Sequence, residues 1–148
     1  MKRLIIITIA IILFTSSALA SIDELVEFYN LGCILNFATM LSGDPTVIEG
    51  CYIYKAADSV NVFFRMDGDD LISLSCVCTD ESGVTEFLAQ CITAFAFFGK
   101  TGQHEPLLKE FFKAHSGRET EPNSSVEGTM FRIVKESYGY TFVLVKVK

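Results

Sequence analysis

Apolar positions along the chain follow two periods, and each change of period marks an element. Over 22–41 they recur at Ile22, Leu25, Val26, Phe28, Tyr29, Cys33, Phe37 and Met40, near the 3.6-residue repeat of a helix. Asp23, Glu24 and Glu27 lie in its first turns, where they complement the helix dipole, and Gly43-Asp44-Pro45 is expected to stop it. The period then drops to two. Three strands are expected, at 51–54, 60–66 and 71–78. In the second, Val60, Val62, Phe64 and Met66 alternate with Asn61, Phe63 and Arg65. In the third, Ile72, Leu74, Cys76 and Cys78 alternate with Ser73, Ser75 and Val77. The joining segments, 57–59 and 67–70, are short enough for an antiparallel meander with one packed face and one partly wet.

Helical spacing returns at 84–98, with Ser82 as the expected N-cap and Gly99 as the C-terminal cap. Only Thr85, Glu86, Gln90 and Thr93 are clearly polar, so this helix should be nearly enveloped. Pro106 opens a second, amphipathic helix to about His115, with Leu107, Leu108, Phe111 and Phe112 in one stripe. Segment 116–129 is polar, carries Gly117, Pro122 and Gly128, and reads as a loop. A hairpin closes the chain, 130–135 against 140–147, and the apolar run 141–145 marks its second strand as an inner one. Helices on one face of a single antiparallel sheet bury both apolar surfaces at once. The expected fold is therefore α+β, a three-stranded meander plus a C-terminal hairpin in one sheet, in the order α-β-β-β-α-α-β-β. This order of elements is similar to that of small secretion-chaperone-like domains; the likeness is one of topology and assigns no residue a role.

Ahead of this domain stands a different pattern. Lys2 and Arg3 precede an apolar run at 4–14, and a short polar stretch ends in Ala18-Leu19-Ala20. A basic start, a short apolar run and a small-x-small site are the marks of a secretory signal peptide at 1–20, cleaved before Ser21. The run falls short of the ~20 residues a membrane span needs, so no stable anchor is expected after cleavage. The domain is then 21–148, exported to a periplasmic or extracellular space.

Export changes how charge and cysteine are read. Loss of Lys2 and Arg3 takes the formal net charge from −6 to −8. An acidic domain repels phosphate backbones and anionic lipid, so nucleic acid is not an expected partner. All five cysteines, Cys33, Cys51, Cys76, Cys78 and Cys91, lie in the domain, where oxidation is possible. Five is odd, so at most two internal bridges form. Cys91 with Cys76 or Cys78 is the first expected pairing and Cys33 with Cys51 the second; buried free thiols are the competing expectation.

Candidate chemistry is sparse. No C-x-x-C, phosphate loop or nucleophile elbow occurs. A thiol nucleophile needs a base in reach, and only His104 and His115 are available. Asp67-Gly68-Asp69-Asp70 is the one notable carboxylate cluster, but it lacks the order of a calcium loop and reads as a solvated turn. Asn123-Ser124-Ser125 matches a glycosylation sequon, of consequence only in a eukaryotic secretory path. Thirteen Phe, among them Phe87, Phe95, Phe97 and Phe98 on one helix, exceed what one small sheet face can cover. The core is their expected place, with any surplus left to line a pocket or form a partner surface. The expected function is a non-catalytic binding protein, inhibitor or immunity-type, acting on another protein without cofactor or metal. The alternatives are a small thiol enzyme using His104 or His115, and a carrier of an apolar ligand.

Overall fold

A computed structural model describes residues 21–98, 104–120, 124–126 and 128–146. The signal segment 1–20, the Gly99 cap, the Asn123 sequon and the last residues of the closing hairpin lie outside these. Three helices, α1 (Ile22–Asn36), α2 (Val84–Phe97) and α3 (Glu105–His115), pack on one face of a seven-stranded antiparallel sheet. Its strands are β1 (Thr46–Ile48), β2 (Cys51–Ala57), β3 (Val60–Asp67), β4 (Asp70–Cys78), β5 (Ser124–Val126), β6 (Thr129–Lys135) and β7 (Tyr140–Lys146). The sheet order is β1-β2-β3-β4-β7-β6-β5, so the meander and the C-terminal hairpin meet where β4 pairs with β7. This is the α+β architecture expected from the patterning, and the apolar β7 is indeed an inner strand. Among the described residues no helix is long and apolar enough to cross a membrane.

Period-two alternation sends one set of side chains under the helices. Val62, Phe64, Leu74, Cys76, Ile133, Phe142 and Leu144 are wholly buried there. From above, α1 supplies Tyr29 and Cys33, α2 supplies Phe87, Cys91 and Phe95, and α3 supplies Leu107 and Phe111. Rings meet edge to face, with Tyr29 and Phe64 at 5.3 Å and Phe95 and Phe131 at 5.3 Å between centroids. Each such pair adds about 1 kcal/mol beyond its buried area. The α1–α2 approach is close because Gly32 has no side chain: a Cβ there would lie 3.1 Å from Thr93 Cγ2.

Four local expectations are corrected. The first helix ends at Asn36, not Leu41, because Phe37 takes the left-handed conformation at φ 57° and the Ala38 N–H turns back to Cys33 O at 2.9 Å. A bulge between Arg65 and Met66 pairs Met66 with Leu71, turning Leu71 toward the core and leaving Ile72 exposed. Asp80, not Ser82, makes the capping bond before α2: its carboxylate accepts from the Ser82 N–H at 2.8 Å and starts a 3-10 turn, Glu81–Gly83. Segment 116–129 is not all loop, since β5 pairs with β6 and Thr129 already belongs to β6.

Candidate functional site

The helices cover one face of the sheet; among the described residues no element packs on the other. Residues directly opposite in a ladder share a face, so the pairings trace three rows across this open side. The first runs Ile53, Phe63, Ser75, Val143, Arg132, the second Cys51, Arg65, Ser73, Val145, Met130, and the third Lys55, Asn61, Val77, Thr141, Val134. None of these positions is Asp or Glu, and three are cationic, in a chain of net charge −6. Phe63, Val77 and Val143 are half-buried at its middle, while Lys55, Arg65 and Arg132 are exposed. A wet face of an antiparallel sheet is normally the polar one; this one is apolar at its centre with cations around it.

Two depressions open on or beside this face. One, of about 340 Å³, is lined by Cys51, Phe63, Arg65, Ser73, Ser75, Val77, Thr141 and Val143. The other, of about 540 Å³, lies along β6, where Arg132 and Lys135 face Arg118 and Glu119 of the segment after α3. Lys55 reaches Asp58 at 2.8 Å in an exposed pair. Among the described residues Arg65 and Arg132 make no ion pair, which leaves two guanidinium groups, each with a fork of donors suited to carboxylates.

The sequence-predicted residues fall elsewhere. Cys33, Cys76, Cys78 and Cys91 are fully buried under the helices. Burial pushes the Cys33 thiol up to about 12, with the Glu86 charge adding to it. Burial also raises Cys91 well above its ordinary value, followed by hydrogen bonding to Cys76. Cys78 is raised too, chiefly by burial, and its Sγ reaches Asp80 O at 2.9 Å. Tyr29, at the centre of this group, donates to Gln90 Oε1 at 2.9 Å, and burial holds its hydroxyl far above the ordinary phenol range. Cys51 stands apart, half-buried on the open face. The sheet separates it from Cys33, so the two do not meet. Its thiol is raised by burial and drawn partly back by Arg65.

His115 Nδ1 lies 2.7 Å from Tyr140 Oη, and its ring stacks on Phe111. His104 caps α3, with Nδ1 buried and unpartnered among the described residues. Neither histidine is hydrogen-bonded to a cysteine among the described residues. Asp67 and Asp70 pair across an exposed turn at Gly68, and no group of metal-binding side chains assembles among the described residues. Of the Phe-rich helices, Phe87, Phe95, Phe97 and Phe111 are spent on the core.

Sequence reasoning did not single out Arg65, Arg132 or Phe63. Alternation had put Phe63, Arg65 and Ser75 away from the core; what it lacked was the β4–β7 pairing that joins the two halves of the face. No protein-family model, curated protein or solved structure matches the chain.

Proposed function

We propose that the protein is an exported, non-catalytic binding module that takes an acidic, apolar segment of another protein on the open face of its sheet. The observation that carries this reading is the absence of any carboxylate among the face's three rows, combined with two arginines beside an apolar centre that make no ion pair among the described residues. In a net-acidic molecule such a face attracts a partner of opposite sign and repels further copies of the molecule's own cationic face. Capping a partner in this way is the mode of an inhibitor or immunity-type protein. Thiols raised by burial favour it over a thiol enzyme, because a nucleophilic cysteine needs its thiolate stabilised. Export rests on Lys2, Arg3, the apolar run and Ala18-Leu19-Ala20, and N-terminal sequencing of the exported protein should begin at Ser21.

Peptide arrays of graded charge and hydrophobicity, probed with the full chain, test the binding reading. Acidic apolar peptides should bind, and raising salt from about 0.1 M to 1 M should weaken them as the screening length contracts from about 10 Å to 3 Å. Reversing Arg65→Glu and Arg132→Glu together should lower affinity roughly 10- to 100-fold, about 1.4–2.8 kcal/mol in all, because each charge-assisted hydrogen bond to the peptide gives way to repulsion. The melting temperature should not move. Equal binding of acidic and basic peptides would sink the proposal.

A further inference from the structure

A second surface, on the helical side, is independent of the first. After α1 ends, Phe37 is 94% exposed, and Leu31, Ile34, Leu35 and Met40 beside it are also open to solvent. Phe37 occupies the left-handed position of the helix end at φ 57°, where glycine is the residue of least cost and a bulky side chain is strained. A phenylalanine held there and pointed into water gains nothing within its own chain.

The segment that presents it is rigidly fixed. Asn30 clamps Leu41 twice, accepting from its N–H at 2.7 Å and donating to its carbonyl at 2.8 Å. The Thr39 N–H donates to Glu86 at 2.9 Å, and Gln90 donates to Thr39 O at 2.8 Å. Thr39 and Leu41 are thus tied inward while Phe37 and Met40 face out, and little ordering entropy is left to lose on association.

Charge and area indicate what covers this patch. Residues 28–43 contain no Asp, Glu, Lys, Arg or His. A charge-free window is the surface on which two copies of a net-acidic chain meet with least repulsion. It offers nothing to an ionic partner, and the acidic molecule around it disfavours an anionic membrane. The five side chains offer on the order of 500 Å² per copy, taking about 150–250 Å² for an open aromatic. Two copies would bury roughly 1,000 Å² in all, the size of a weak, concentration-dependent interface. The patch stands in the upper part of the roughly 300–600 Å² of the largest apolar patch on a typical monomer, which is often a functional one. We propose that this patch is the interface of a symmetric homodimer, with Phe37 of each copy packed against the α1 patch of the other.

Sedimentation of the full chain from about 1 to about 200 µM should show a monomer–dimer equilibrium. Salt should strengthen it, because the like-charged remainder of the two copies is screened. Phe37→Gly removes the side chain and relieves the backbone, so it should weaken dimerisation at least tenfold while leaving thermal unfolding at about 1 µM unchanged or raised. Phe37→Asp should be monomeric throughout. A wild-type monomer at about 200 µM overturns the proposal, as does a dimer that both variants leave intact. Flotation of wild type, but not Phe37→Gly, with neutral phosphatidylcholine vesicles would assign the patch to lipid instead.

Discussion

The five thiols differ because of where the strands and helices put them. Four lie buried under the helices, and burial raises the thiols of Cys33, Cys78 and Cys91; Cys51 alone lies on the open face beside Arg65. Alkylation of the native full chain near pH 8, read by mass spectrometry, should therefore label Cys51 slowly and the other four only after denaturation. Cys33 also carries a pH dependence. Its folded thiol holds a proton up to about 12 against an ordinary value of 9.0. The folded state therefore binds that proton more tightly than the unfolded chain, so the contribution to stability is whole below pH 9 and is lost as pH rises from there toward 12. Burial of Cys91 and Tyr29 acts in the same direction. Urea midpoints should fall across this window, and Cys33→Ala should flatten the fall while lowering the midpoint at neutral pH. At this scale the sequence was informative about Cys76 and Cys78 facing the helix that carries Cys91. It paired Cys51 with Cys33 and missed the distinction of Cys51, which depends on Arg65 standing opposite it across a ladder.

Elements were legible where period and punctuation agree. The alternating strands and the enveloped α2 stand within a few residues of their expected bounds. Two of the misses, the end of α1 and the cap before α2, have a side chain overriding the local pattern; the Arg65/Met66 bulge and the β5–β6 pairing are matters of strand register. Helical spacing runs on through Phe37 and Met40, but Asn30 binds the chain at Leu41 and Asn36 donates to Gly32 O, so α1 closes early. Nothing in residues 34–41 announces this, since phenylalanine is not a usual left-handed residue. The start of α1 is a capping box: Ser21 Oγ accepts from the Glu24 N–H at 3.3 Å, and the Ser21 N–H donates to Glu24 Oε2 at 3.0 Å. Ser21→Ala should cost about 1 kcal/mol in chemical denaturation. At the other end of the domain, a Cβ on Gly139 would collide with the Cys78 carbonyl. Gly139→Ala should accordingly cost more than loss of the cap and act at the β4–β7 junction.

The molecule as a whole presents two surfaces with opposite chemistry, one cationic and apolar on the sheet, the other uncharged and apolar at the end of α1. Their salt responses should have opposite signs, and variants on one should leave the other's affinity within about twofold, as expected for separated, non-sharing sites. Neither surface was legible as such. The sheet face needs pairing between strands far apart in sequence, β4 with β7, which alternation cannot supply, and the helix patch needs the early closure of α1. The apolar surplus that patterning suggested lay on the Phe-rich helices, and Phe87, Phe95, Phe97 and Phe111 there went into the core.

The two edge strands, β1 and β5, are three residues long and, among the described residues, pair with only three residues each of β2 and β6. The remaining lengths carry Lys55 on one side and Arg132 and Lys135 on the other. A chain that is half hydrophobic could polymerise by adding copies of itself strand to strand, and a charge that would have to be stacked against its own kind at every added copy stops such growth at the first step. Lys55, Arg132 and Lys135 are thus placed to terminate fibre growth. Replacing Lys55, Arg132 and Lys135 with valine should produce thioflavin-positive aggregates on prolonged incubation, under conditions where the wild-type chain stays clear.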